Sequence, residues 1–280
     1  MSEFKDKNYR VTTLLEFGPS LPVITRDKDK RFIKDRSFTF VEWNMELEEE
    51  ISEIQKKEKN TGLFVNKMLC KLLDTICGEP FQELSEGEQQ SRISSLEFPN
   101  IMYMYTYLRV DELGNILKTD PVTCPRCGKL NENFAIDLNT LEIHVKDEEH
   151  IREVDYELYK PISYKENKLI TNLKLDVSKW KVLEGDNIGP DLSSGKFKRC
   201  LLEGAIIGAK DESGPIDSIL DVRAIVKKIQ KKDIECCIKT VIENNSGCDM
   251  GAQGTCIHCK ADFYKLLDWK YDRFFDSSSL

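Results

Sequence analysis

The sequence predicts an α+β fold: two mainly helical regions flank a zinc-ribbon-like four-cysteine knuckle pair, with a β-hairpin insertion. Three patterns predict it. Apolar residues recur at helical spacing before residue 110 and again after residue 192. They alternate with polar residues between residues 134 and 177. A short Cys-x-x-Cys motif occurs twice, far apart.

Residues 1–36 mix charge with turn formers such as Gly18-Pro19-Ser20, and read as an extended N-terminal arm. Residues 37–118 form the first helical region. Met45, Leu47, Ile51 and Ile54 lie near helical spacing, with glutamates early and lysines late, the order that suits the helix dipole. Leu63, Phe64, Met68, Leu69, Leu72, Leu73 and Ile76 form a second stripe, with Gly78 as its stop. The aromatic run from Phe98 to Leu108 fits a helix or a strand equally. Residues 119–146 carry the first knuckle and its strands, from the alternation at Phe134, Ile136 and Leu138 and at Leu141, Ile143 and Val145. Residues 147–185 form the hairpin insertion, turning at Tyr164-Lys165-Glu166-Asn167. Residues 186–247 are helical again. One stripe runs through Leu201, Leu202, Ala205, Ile206 and Ala209, a second through Ile219, Val222, Ile225, Val226 and Ile229, and a third through Ile234, Cys237, Ile238, Val241 and Ile242. Residues 248–280 hold the second knuckle and an aromatic tail.

The knuckles read Thr123-Cys124-Pro125-Arg126-Cys127-Gly128 and Thr255-Cys256-Ile257-His258-Cys259-Lys260. Two intervening residues let a tight turn aim both sulfurs at one ion, and Gly128 suits the left-handed backbone that follows. Each knuckle supplies two ligands, whereas structural Zn2+ takes four in a tetrahedron. Cys124, Cys127, Cys256 and Cys259 together satisfy it. The 128 residues between the pairs make a long insertion, but loop-closure cost grows only logarithmically with length. A redox CxxC is the rival, yet such motifs open a helix, and Gly128-Lys129-Leu130-Asn131 does not resemble a helix start. Cys248 and His258 are spare candidate ligands. Cys70, Cys77, Cys200, Cys236 and Cys237 fall on expected helices as small buried apolar residues.

Ten cysteines in a chain whose start shows no apolar signal core indicate a reducing compartment, where clustered thiols serve metal or catalysis. The net charge of −8 disfavours nucleic acid and anionic membranes as partners. No apolar stretch is long enough for a bilayer. Phosphate-binding glycine loops, GxSxG, HExxH and calcium-loop motifs are all lacking, so the chain reads as a non-enzyme. The compact basic run Lys227, Lys228, Lys231 and Lys232 reads as a solvated helix face. Trp269, Tyr271, Phe274 and Phe275 crowd the terminus. They either close the second knuckle's core or face a partner.

Four passages resemble the T-even-type bacteriophage baseplate hub proteins and related tail assembly proteins. They are Phe40-Val41-Glu42-Trp43-Asn44-Met45-Glu46-Leu47-Glu48, the run from Met102 to Arg109, the first knuckle with Ile136-Asp137-Leu138 and Leu141-Glu142-Ile143, and the second knuckle with Asp268-Trp269-Lys270-Tyr271-Asp272 and Phe274-Phe275. Two departures stand out: Ile257 and Lys260 replace the usual proline and glycine, and Cys248 stands where a proline is expected. The resemblance implies a viral protein that meets other tail and baseplate proteins, in the host cytoplasm during assembly or in the virion tail baseplate. The alternatives are a nucleic-acid-binding zinc ribbon and a CxxC thiol-disulfide oxidoreductase.

Overall fold

A computed structural model describes residues 10–25, 31–132, 134–145, 153–164, 168–185, 195–215, 222–244, 247–248, 251–266 and 274–275. The fold is α+β. In chain order, β1 (Arg10–Thr13) and the single turn α1 (Leu14–Phe17) precede β2 (Phe38–Phe40), α2 (Met45–Lys57) and α3 (Thr61–Leu72). The hairpin β3 (Leu73–Ile76) and β4 (Glu79–Pro80) leads to α4 (Glu86–Ser95) and α5 (Phe98–Leu113). Four short strands follow: β5 (Ile116–Lys118), β6 (Val122–Thr123), β7 (Leu130–Asn131) and β8 (Ala135–Asp137); β9 (Glu142–Val145) comes next.

Local chemistry sets these boundaries. Asn44 and Asn60 cap α2 and α3, their side-chain oxygens each accepting an N–H at 3.0 Å, from Leu47 and Leu63. In α2, Glu46 and Glu48 lie in the first turn and Lys56 and Lys57 in the last, as the dipole favours. The aromatic run is a helix, α5, started by Pro99. It carries apolar residues on every side up to Leu108 because that stretch runs through the main core. Ile101, Tyr103, Met104 and Leu108 are fully buried on its different sides.

Three expectations need correction. The stripe expected to run to Ile76 leaves the helix at Leu72. Leu73 to Ile76 pair with β2 and β4 instead, because Cys77 and Gly78 both take positive φ and build a two-residue hairpin turn. Residues 10–25 are not an arm: β1 pairs with β9, and Leu14, Leu21, Val23 and Ile24 are buried. The Asn100 side chain latches this segment, accepting the Val23 N–H at 2.9 Å and donating to its carbonyl at 3.0 Å.

The third correction concerns the long insertion. Here β10 (Val154–Tyr164) and β11 (Lys168–Leu175) form the expected hairpin; residues 165–167 of its turn lie outside the described residues. After the one-turn α6 (Lys181–Glu184) comes α7 (Gly195–Ala205), and the predicted stripe then leaves the helix. Ile206 and Ile207 begin β12 (Ile206–Asp211), which joins the hairpin and β13 (Gly214–Pro215) in one sheet ordered β10-β11-β12-β13. With α8 (Val222–Lys228) and α9 (Lys231–Asn244) this sheet encloses a second core of Leu158, Ile170, Leu173, Leu202, Val226 and Cys237. Ile219 lies outside the described residues. Hairpin and helices are thus one unit. It is keyed to the main core by α7, whose Phe197, Cys200 and Leu201 face that core, and by Trp180, stacked on Phe98 at 5.7 Å.

Beyond the insertion, β14 (Gly247–Cys248) pairs with β9, and β15 (Gly251–Thr255) pairs with β16 (Asp262–Leu266). Phe274 is fully buried in the main core, stacked on Tyr105 at 5.2 Å. The buried Arg109 holds it there. Its Nε donates to the Phe274 carbonyl at 2.6 Å, and its terminal nitrogens donate to Gly114 and Ile116 at 2.5 and 3.2 Å. No helix among the described residues is long and apolar enough to cross a membrane.

Candidate metal centre

Each knuckle is the turn of a hairpin. The first joins β6 to β7, and the second joins β15 to β16. In the first, the Cys124 N–H donates to the Lys129 carbonyl at 2.9 Å and the Gly128 N–H to the Cys124 carbonyl at 2.9 Å. In the second, the Cys256 N–H donates to Ala261 and the Lys260 N–H to Cys256, both at 3.0 Å. The two turns are therefore the same structure, with 124 matching 256 and 128 matching 260. Gly128 has φ 70° and Lys260 has φ 57°. The second turn thus keeps the left-handed backbone without the glycine that makes it easy.

The turns face each other and bring all four predicted ligands together. Cys124 Sγ lies 3.7 Å from Cys259 Sγ, and Cys127 Sγ lies 3.7 Å from Cys256 Sγ. All four sulfurs lie within 4.8 Å of one another and could hold a metal ion. These separations are far beyond the roughly 2.0 Å of a disulfide, so the four are free thiols at van der Waals distance. Cys124 and Cys256 are buried, Cys127 is half-buried and Cys259 is exposed.

The backbone of each turn charges its first sulfur. N–H groups of Cys127 and Arg126 point at Cys124 and hold its thiol below the ordinary value. N–H groups of Cys259 and His258 do the same for Cys256, lowering it to about 6. Cys127 receives the Lys129 N–H, which lowers it, but loss of water and the three neighbouring sulfurs outweigh this and push it up to about 11. Negative charge is therefore favoured at two sulfurs and opposed at a third. A cation at the centre would remove that opposition.

A polar clamp joins the turns, and nothing in the spacing of the cysteines announced it. Asn131 is buried. Its side chain donates to the Val122 carbonyl at 3.0 Å, within its own hairpin, and accepts the Ile257 N–H of the other knuckle at 2.9 Å. His258 Nε2 meets the Leu130 carbonyl at 2.9 Å. Phe134 and Phe263 pack beneath at 5.3 Å. Gly254 leaves room for that ring, since a Cβ there would lie 2.1 Å from Phe134 Cζ.

The spare ligands are not part of the cluster. His258 is exposed and turned to the facing hairpin, while Cys248 pairs with Ile143 and packs against the main core. Burial pushes the Cys70 and Cys237 thiols up to about 12 and the Cys77 thiol to about 11, as expected of packing residues; Cys200 is buried too. Cys236 differs from expectation, being exposed on α9. Phe274 lies in the main core rather than the knuckle's; Phe275 is half-buried between Tyr105 and Trp43. Trp269 and Tyr271 lie outside the described residues. No family model, curated protein or solved structure matches the chain.

Proposed function

We propose that this chain is a non-enzymatic, zinc-stabilised structural or assembly protein of a bacteriophage tail baseplate, acting through contacts with other tail and baseplate proteins. The observation that carries the metal part is the meeting of four sulfurs from two matched turns. A tetrahedron with zinc–sulfur bonds of about 2.3 Å has sulfur–sulfur edges of roughly 3.8 Å. Two of the sulfur–sulfur pairs here are at 3.7 Å. With four thiolates as ligands no coordination position remains for substrate, which is the structural kind of site. The thiol-disulfide alternative loses support because each pair sits in a hairpin turn instead of opening a helix.

The viral part is supported by the four resembling passages. They include the first helix entry at Phe40 to Glu48, the central helix α5 and both knuckles. One feature favours the nucleic-acid alternative: Arg126, Lys129 and Lys260 are exposed at the tips of the turns. The net charge of −8 opposes it, and a gel shift at low salt decides between the two.

Two measurements test the proposal. Elemental analysis should find about one zinc per chain, and Cys124→Ser should lower that content and the melting temperature together. A Cys124→Ser chain with full metal and unchanged melting would contradict the metal part. For the viral part, the chain should co-purify with baseplate subassemblies from phage-infected cells. Its consistent absence from every such intermediate would contradict it.

A further inference from the structure

On the face of the main core formed by the start of α2 and the end of α5, Trp43, Met45, Leu113 and Phe275 line a cleft of about 600 Å³ together with Glu48 and Glu112. The Trp43 and Phe275 rings lie 5.7 Å apart, tilted by 31°. Trp43 Nε1 donates to Glu48 Oε2 at 2.6 Å, which holds a carboxylate at the ring edge. Met45 is 76% exposed at the lip. The described lining includes two carboxylates and no lysine or arginine.

A second observation is independent of the cavity. The last turn of α5 has no basic residue and carries Asp111 and Glu112. A helix C-terminus is the negative end of its dipole and favours cations. Acids there work against the helix. Burial, Asp111 and Glu42 all oppose charge on Glu112 and raise its pKa. Arg109 already donates to the Gly114 carbonyl at the helix end, so the conflict that remains is at Glu112, where a bound cation would relieve it.

We infer that this cleft docks an arginine side chain, flanked by apolar residues, from a segment of a partner protein. The planar guanidinium can lie against the Trp43 ring while donating to Glu48 and Glu112. Its aliphatic stem matches Leu113 and Met45. A lipid headgroup or nucleic acid brings anions, which this cleft repels. The inference rests on the protein-contact part of the proposed function and not on the metal; zinc content of the same preparation reports on the metal separately.

The test uses the full chain and a fluorescein-labelled ten-residue peptide with one arginine between leucines, read by anisotropy at low salt. A twin peptide carries citrulline, the uncharged isostere. The arginine peptide should bind, and the citrulline twin should bind about tenfold more weakly. Glu112→Gln and Glu48→Gln, each checked for unchanged far-UV circular dichroism, should each weaken the arginine peptide about fivefold. Having two variants keeps the test valid if one misfolds. Equal binding of the two peptides, no binding of either, or indifference to both substitutions overturns the inference. Low-salt self-association abolished by Glu112→Gln also overturns it, in favour of a second copy presenting the exposed Arg126, Lys129 and Lys260 of its knuckles.

Discussion

Lys260 holds a backbone conformation that its partner turn assigns to Gly128. A side chain in the left-handed region costs about 1 kcal/mol, partly offset by the greater freedom glycine gains when unfolded. Lys260→Gly should therefore stabilise the folded chain by a few tenths to about 1 kcal/mol, read as a higher urea midpoint at unchanged slope. A lower midpoint would mean that the lysine side chain has a role the turn geometry does not explain. The sulfurs themselves respond to acid. In the metal-free protein, Cys256 titrates at about 6 instead of 9.0 because N–H groups stabilise its thiolate. That stabilisation is fully present above the unfolded value, declines as pH falls from there, and is gone below about 6. Protons also compete with any metal for thiolates, so metal retention should drop steeply once pH falls below about 6. Retention measured by chelator release from pH 8 to 5 should fall monotonically; a flat profile would contradict thiolate ligation. At this scale the four clustered cysteines were legible from spacing alone. Asn131 was not, because a buried clamp needs both hairpins in place before its two bonds exist.

Elements were legible where one face meets solvent. In α2, the stripe at Ile51 and Ile54 stands among charged residues, so its period can be read. In α5 no period survives from Phe98 to Arg109, because nearly every position of that stretch is buried, whichever side of the helix it lies on. Ile206 and Ala209 continue the α7 stripe at helical spacing, yet they lie in β12. A partner strand, β11, decides that choice, and no local window contains it. Arg109 shows how one element fixes two others: from α5 it reaches the carbonyls of Phe274, Gly114 and Ile116. Arg109→Met removes three hydrogen bonds, leaves the buried Phe274 carbonyl without its donor and should cost about 3 kcal/mol. Urea unfolding would show the loss. The same variant should keep its metal, since the carbonyls that Arg109 holds, at Phe274, Gly114 and Ile116, lie outside both turns. Unaltered stability would contradict the anchoring role.

For the whole molecule, the two knuckles act as a clasp around everything between them. Among the described residues of this 128-residue interval, β8 and β9 pair with β5 and β1, β10 to α9 form a sheet-and-helix unit, and β14 returns beside β9 before the second hairpin begins. Closing so long a loop adds little entropy cost once the segment is folded. The α+β class and the meeting of the knuckles could be read from sequence, because cysteine spacing encodes a long-range contact directly. The fusion of hairpin and helices into one unit could not, because it depends on β12 pairing with β11.

The most direct measurement of the clasp is X-ray absorption at the zinc edge of the purified full-length protein, with metal content determined on the same sample. The account predicts about one zinc per chain with four sulfur neighbours at about 2.3 Å and none of nitrogen or oxygen. A shell of two sulfurs with nitrogen or oxygen, or a folded chain carrying no metal, would contradict it.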